Sequence, residues 1–157
     1  MYSFSALIGN FPLMLALLAW LIAQVSKFII TMIVSREDLS PKTLLSSGGM
    51  PSSHTAMVCA LTTSVAITHG FASPLFAICC ILSFIVMYDA TGVRRSAGEQ
   101  AKTLNQIIIH LLDEKEFPIN TTVKEILGHT PLQVLVGALL GIFLPIAVKF
   151  IFKLRFL

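Results

Sequence analysis

The chain has 157 residues, of which 55% are hydrophobic and only 12% are charged, and its mean hydropathy is +0.85. Charged residues make up about 25% of ordinary soluble domains, so this composition excludes that class and indicates a membrane protein. Eleven Lys and Arg against eight Asp and Glu give a net charge of +3, which is too small a basic excess for a nucleic-acid-binding domain.

The length of the chain fits a single domain, residues 1–157, built as an all-α membrane bundle. About four spans of ~20 residues each would use roughly half of the chain and leave about 75 residues for loops and a site. A large domain outside the membrane is therefore excluded.

The first apolar run extends from Phe11 to Val34 and is long enough to cross a bilayer. Because it is too long for the apolar part of a cleavable signal peptide, we expect a retained helix. Its second half contains Lys27. A charged side chain at that depth either extends to the membrane surface or faces the protein interior or a water-filled cavity, and both positions stay open here.

Two further spans follow a polar loop that is rich in Ser, Gly and Pro. They are predicted from Thr55 to about Thr68 and from Leu75 to Met87, with a tight turn between them at His69-Gly70 and Ser73-Pro74. Both runs are slightly short for a bilayer, so flanking residues are expected to extend them.

An amphipathic helix and a last span complete the predicted bundle. Apolar residues at helical spacing predict a helix from Ser96 to about Leu112 that lies on the membrane or packs on the bundle. The last span is predicted from Leu132 to about Phe152. It contains Gly137 and Gly141, and two glycines four residues apart favour close helix packing.

Four spans place the polar loop and the long polar segment on one side of the membrane. The basic residues of this side are Arg36, Lys42, Arg94, Arg95, Lys102, Lys115 and Lys124, and those of the opposite side are Lys149, Lys153 and Arg155. The positive-inside rule therefore favours the plasma (inner) membrane with this face in the cytoplasm. A phosphate site needs basic residues whichever side of the membrane it occupies, so the same excess of Lys and Arg is also expected for the opposite orientation.

Three polar clusters are predicted at the ends of the spans on this same face. Ser52, Ser53 and His54 precede the second span, the stretch 89–95 ends the third, and the stretch 128–133 begins the fourth. Backbone N–H groups at a helix start bind anions, although a Ser N-cap and interfacial arginines would give similar patterns. Together the clusters predict an anion site with two histidines that carry a proton or a phosphoryl group.

These motifs resemble those of a known superfamily. The stretch 51–54, Pro-Ser-Ser-His, resembles the P-S-G-H motif of the type 2 phosphatidic acid phosphatases, and the stretch 129–134 looks like the final H-x-x-x-D segment of that superfamily. The superfamily also includes vanadium-dependent haloperoxidases. Nearly the whole chain closely resembles the divergent type 2 phosphatidic acid phosphatase-related family. The stretches that carry this resemblance are GGMPSSHTA, YDATGVRRSAGEQA and GHTP.

The resemblance implies a phosphatase that needs no metal and no cofactor and that forms a phosphohistidine intermediate. His129 would be the nucleophile and His54 the acid that protonates the leaving oxygen. The phosphate-binding candidates, from the resemblance and from the anion-site argument together, are Arg94, Arg95, Lys27, Arg36, Ser52, Ser53 and Gln133.

Gln133 departs from the family pattern, because it stands where the superfamily has an aspartate. A glutamine oxygen can hold the imidazole tautomer but supplies no charge to a cationic phosphohistidine. We therefore expect either reduced turnover or another carboxylate in that role, with Asp89 the first candidate and Glu99 the second. Lys27 and Arg36 also depart from the pattern, since they are nine residues apart rather than seven.

The predicted activity is hydrolysis of a lipid phosphate monoester of the phosphatidate or phosphatidylglycerol phosphate type. A periplasmic site would instead favour an isoprenoid diphosphate, and a non-catalytic lipid-binding membrane protein is the alternative from another class. The expected partners are the lipid substrate and the membrane, with no nucleic acid, and the sequence leaves a homo-oligomer open.

Overall fold

The computed structural model describes residues 4–35, 49–113, 123 and 128–152. These residues form α1 (Phe4–Ile8), α2 (Phe11–Ser35), α3 (Ser53–His69), α4 (Pro74–Thr91), α5 (Val93–Asp113) and α6 (Pro131–Ile151). No strand occurs within the described ranges. The prediction of an all-α membrane bundle is therefore confirmed.

Three helical stretches among the described residues are long and apolar enough to cross a membrane. They are Phe11–Ile33, the continuous run Pro74–His110, and Pro131–Ile151. Large apolar side chains lie on their outer surfaces, where Phe84 is 67% and Phe143 is 62% exposed. A surface of this kind matches contact with lipid rather than with water, so the chain is an integral membrane protein.

The interior helix of the bundle is α3, which packs against α2, α4 and α6. Its 17 residues span about 25 Å, somewhat less than the ~30 Å hydrocarbon core of a bilayer. Because neighbouring helices cover it, α3 accommodates hydroxyl groups that lipid would not satisfy. The hydroxyl oxygens of Thr62 on α3 and Ser83 on α4 lie 2.8 Å apart, and Ser83 also donates to the carbonyl of Val58 at 3.1 Å.

Small side chains bring the helices of the bundle close together. Ala19 and Ala23 of α2 meet Ala56 and Ala60 of α3 in a cluster whose members are all 0% exposed. Leu140 and Leu144 of α6 pack against this cluster. Because lipid tails are as apolar as the side chains, such close packing is the main attraction between helices in a membrane.

Gly137 and Gly141 allow α6 to lie directly on α3. A Cβ atom on Gly137 would lie only 2.5 Å from the carbonyl oxygen of Ser52, and one on Gly141 would collide with the carbonyl oxygen of Ala56. The close packing predicted from the two glycines is confirmed. Its partner, which the sequence did not identify, is the beginning of α3.

We expect Gly137→Val to destabilise the protein by about 1–3 kcal/mol, because the added carbons would meet backbone that has no room to move. Ala147→Val is the matched control, since Ala147 lies on the exposed side of the same helix. Thermal unfolding of both purified variants measures the difference. Equal melting temperatures would contradict the close contact between α6 and Ser52.

The structure corrects the start of the amphipathic helix. The sequence placed the end of the apolar run at Met87, expected residues 88–90 to extend the span, and began the amphipathic helix at Ser96, whereas α4 continues to Thr91 and only Gly92 separates it from α5, which begins at Val93. The reason is that backbone pairing continues across the junction. The Gly92 N–H donates to the carbonyl of Tyr88 at 2.9 Å, and the Gly92 carbonyl accepts from the N–H of Ser96 at 2.9 Å.

Among the described elements, α5 packs against α4 alone. Within the described residues, α5 therefore contacts the other helices of the bundle only through α4. Leu104 and Ile107 of α5 are both 49% exposed. That this apolar face of α5 lies in the membrane surface stays a prediction.

Candidate active site

The beginnings of α3 and α6 and the end of α4 meet at one end of the bundle. Just before α3, the N–H of Ser52 donates to the carbonyl of Gln133 in the first turn of α6 at 3.0 Å. Just before α6, the N–H of His129 donates to the carbonyl of Ala90 in the last turn of α4 at 3.1 Å. These two backbone bonds bring the segment that carries His54 and the segment that carries His129 together.

Gln133 determines which nitrogen of His129 carries hydrogen. Its side-chain Oε1 accepts the backbone N–H of Thr130 at 3.0 Å and lies 3.1 Å from Nδ1 of His129. Because a backbone N–H can only donate, the shared atom is the amide oxygen, and Nδ1 must donate to it. In the neutral ring, Nε2 therefore keeps its lone pair and is the nucleophilic nitrogen.

The same glutamine caps α6. The hydroxyl of Thr130 accepts the N–H of Gln133 at 3.4 Å while the Gln133 side chain returns to the N–H of Thr130, which is a capping box. The sequence carries the signal for it, since Thr130 and Gln133 have the spacing of the T-x-x-Q pattern. The capping box was not predicted, because Gln133 was interpreted only as a replacement for an aspartate.

Lys27 of α2 lies in the protein interior, and its residue is 3% exposed. Gly49 lies against its aliphatic chain, because a Cβ on Gly49 would be 3.1 Å from Cγ of Lys27. The φ angle of Gly49 is +89°, a conformation that side-chain-bearing residues rarely adopt. Of the two positions that the sequence left open for Lys27, the structure therefore shows the inward one.

Several positive or titratable groups lie close to His129, which is 6% exposed. Burial lowers the pKa of His129 below its usual value of 6.5, while the hydrogen bond with Gln133 acts in the opposite direction. The charges of Lys27, His54 and Arg94 lower it further. The ring is consequently neutral at pH 7, with Nε2 unprotonated.

His54 lies in the first turn of α3 and is more exposed than His129. Partial loss of hydration lowers its pKa below 6.5, and the charges of Arg94 and Lys27 add to this effect. His54, His129, Lys27 and Arg94 thus form one group, which we call the cationic cluster. It contains two imidazoles and two fixed cations at the end of the bundle where the polar motifs were predicted to meet.

The acidic residues near this end bind arginines. Asp89 accepts a hydrogen bond from Nε of Arg94, and Glu99 accepts one from Nε of Arg95 at 3.2 Å. We expected Asp89 to take the place of the missing aspartate at His129, but Gln133 occupies Nδ1 and Asp89 holds Arg94 instead.

The other residues predicted to bind phosphate are Arg95, Ser52, Ser53 and Arg36. The side chains of Arg95 and Glu99 are 49% and 70% exposed, so their ion pair contributes little. Arg94, whose charge acts on both histidines, is the arginine of the cluster. Ser52 and Ser53 are buried, and the Ser52 hydroxyl accepts from the hydroxyl of Thr55 at 3.0 Å. Arg36 lies outside the described residues.

Gly128 and Ala90 position His129 through backbone contacts that no sequence pattern revealed. A Cβ on Gly128 would collide with the backbone of Arg95, so glycine lets the segment before α6 lie on the beginning of α5. The bond from His129 to the Ala90 carbonyl holds the same segment on α4. Within the described part of the chain, no group of three or more His, Cys, Asp or Glu side chains is arranged to hold a metal ion.

Comparison with known proteins relates the chain to membrane proteins. Residues 8–144 match the profile of the family described as the Divergent PAP2 family. The protein named "Uncharacterized membrane protein YuiD" of Bacillus subtilis (strain 168) is 46% identical over 156 residues, which cover 93% of this chain and 98% of that protein. No solved structure matches the chain significantly.

Proposed function

Because the chain belongs to the Divergent PAP2 family, we propose that it is a membrane phosphatase that hydrolyses a lipid phosphate monoester through a phosphohistidine intermediate. The observation that carries this proposal is the burial and hydrogen bonding of the His129 ring. The ring is buried, its Nδ1 donates to Gln133, and its Nε2 is left as a nucleophile beside positive charge. A neutral imidazole next to fixed cations is suited to attack on a phosphoryl group.

In the proposed first step, Nε2 of His129 forms a bond to phosphorus while the bond from phosphorus to the lipid oxygen breaks. Protonated His54 gives its proton to that leaving oxygen. Lys27 and Arg94 stabilise the negative charge on the phosphoryl oxygens. In the second step, water loses a proton to the now neutral His54 and attacks phosphorus, so that the bond to Nε2 breaks and phosphate leaves.

Gln133 also supports a second candidate function. Its amide orients the imidazole but supplies no negative charge to the phosphohistidine cation that forms in the first step. A protein with this arrangement would bind a lipid phosphate in the cationic cluster without turning it over. This candidate is non-catalytic lipid binding.

We propose an inner-leaflet substrate of the phosphatidate or phosphatidylglycerol phosphate type. It is supported by the excess of Lys and Arg that the sequence predicts on the side that carries the cluster, since the positive-inside rule favours the cytoplasm for such a side. If accessibility labelling places the cluster on the other side, an isoprenoid diphosphate becomes the better substrate.

Trapping of a labelled phosphoryl group tests the proposed function. The purified protein in lipid nanodiscs is mixed with a panel of labelled lipid phosphates, quenched, and digested to locate the label. We expect an acid-labile label on His129 and release of phosphate. Release of phosphate with the label on another residue contradicts the role of His129, whereas binding without label or release favours the non-catalytic candidate.

We expect kcat/KM on an alkyl phosphate to reach its maximum below pH 6.5. His129 must be neutral, and because its pKa lies below 6.5, activity falls as the pH drops through that pKa. His54 must be protonated, and because its pKa also lies below 6.5, activity falls as the pH rises through that second pKa.

An aryl phosphate provides the control for this pH profile. Its leaving group needs little protonation, so the loss of activity on the alkaline side should disappear while the loss on the acid side remains. The measurement is kcat/KM against pH for both substrates. The same profile for both, with its maximum above neutral pH, would contradict the assigned roles.

A further inference from the structure

An apolar groove with a volume of about 360 Å³ lies between α4 and α6. Its walls include Phe84, Met87 and Thr91 on α4, and Pro131, Leu135 and Ala138 on α6. Residues three or four apart share one face of a helix, so each helix presents one continuous stripe to the groove. Phe84 is 67% and Leu135 is 55% exposed, so the groove is open on the lipid-facing surface of the bundle.

One end of the groove adjoins the cationic cluster. Thr91 directly follows Ala90, whose carbonyl accepts the N–H of His129, and Pro131 lies two residues after His129. The other end lies near Ala138, which is seven residues or about 10 Å farther along α6 than Pro131. The groove therefore leads from the candidate active site toward the interior of the membrane.

We propose that this groove binds the hydrocarbon chain of the lipid phosphate while its phosphate lies in the cationic cluster. The inference rests on the proposed function and names the part of the chain that recognises the substrate tail. The charge of the cluster and the apolar walls of the groove match the two ends of such a lipid. An anionic end matches the two cations and two histidines, and an apolar chain matches the groove that continues from them.

A groove of about 360 Å³ that is lined mostly by apolar side chains suits a hydrocarbon chain. Ala138 is the smallest side chain in the wall of α6. Its size consequently sets how far a chain extends beyond the level of Leu135.

A series of alkyl phosphates from butyl to dodecyl tests the groove with the full-length protein in nanodiscs. Each methylene that moves from water into an apolar site contributes about fourfold to kcat/KM. Ala138→Trp should exclude at least two methylenes and lower kcat/KM for dodecyl phosphate by about 15-fold or more. Butyl phosphate, which does not extend to Ala138, should be hydrolysed at an unchanged rate.

Ala147→Trp is the matched control, because it adds the same ring to an exposed position of α6 outside the groove. It should leave kcat/KM unchanged for both substrates. If Ala138→Trp affects neither substrate, the groove does not bind the chain, and the inference is wrong. If it lowers both equally, the groove does not distinguish chain lengths, and the inference is also wrong.

A dodecyl phosphonate with a photoreactive diazirine at its chain end measures binding without hydrolysis. We expect labelling near Phe84 and Ala138 in the wild-type protein, and loss of that label in Ala138→Trp but not in Ala147→Trp. Labelling of the lipid-facing side of α2 instead overturns the inference. Labelling of the groove without any phosphate release would contradict the proposed phosphatase activity and support the groove as the site that binds the chain. Phosphate release that is independent of chain length, without labelling of the groove, would support the phosphatase activity and contradict the chain-binding site.

Discussion

His129→Ala should abolish the covalent phosphoenzyme and lower kcat/KM by about 10⁴-fold or more on every substrate, as expected for loss of a nucleophile. His54→Ala should lower kcat/KM on an alkyl phosphate by about 100- to 10,000-fold, the usual contribution of a general acid. On an aryl phosphate this second defect should shrink by a large part of that factor, because the leaving group needs little protonation. Rapid-quench detection of the phosphoenzyme together with steady-state kinetics measures both effects.

His69→Ala is the control for these two variants. His69 is at the far end of α3, where its Nδ1 lies 2.7 Å from the hydroxyl of Thr68, and it is remote in the chain from the segments that form the cluster. Its substitution should leave the kinetics unchanged. Phosphoenzyme formation in His129→Ala, or its absence in His54→Ala with an aryl phosphate that still binds, would reverse or discard the assigned roles.

Lys27→Met should lower kcat/KM by about 10²- to 10³-fold, the cost of removing one group that stabilises transferring charge. The substitution keeps an unbranched chain in a site where the residue is 3% exposed, so packing against Gly49 is preserved. Because removing one member of a buried interaction lowers stability, the melting temperature is measured alongside and kcat/KM is expressed per folded molecule. A loss of kcat/KM per folded molecule separates a phosphate-binding role from a structural one.

Lys149→Met provides the matched lysine control, because Lys149 lies in the last turn of α6, at the end opposite the cluster. Neither activity nor stability should change in this variant. If Lys27→Met keeps wild-type kcat/KM, Lys27 does not contact the phosphoryl group. If its melting temperature falls while kcat/KM per folded molecule is retained, the lysine has a purely structural role.

The sequence alone was sufficient for the features that depend on local composition. The apolar run starting at Phe11 predicted α2 to within one residue at its carboxyl end, and the two glycines of α6 predicted close packing. The polar motifs also predicted that the beginnings of α3 and α6 and the end of α4 lie together at one end of the bundle. These features could be predicted because hydropathy, turn residues and helix-start patterns act over a few neighbouring residues.

Only the tertiary structure decided which groups meet, because each decisive contact joins residues that are distant in the chain. Gly49 lies against the inward-facing Lys27, and the charges of Lys27 and Arg94 act on both His54 and His129. The Ala90 carbonyl holds His129 across 39 residues. A backbone carbonyl is common to every residue type, so no side-chain pattern could have identified Ala90, and its place in the site follows from how α4 and α6 pack on α3.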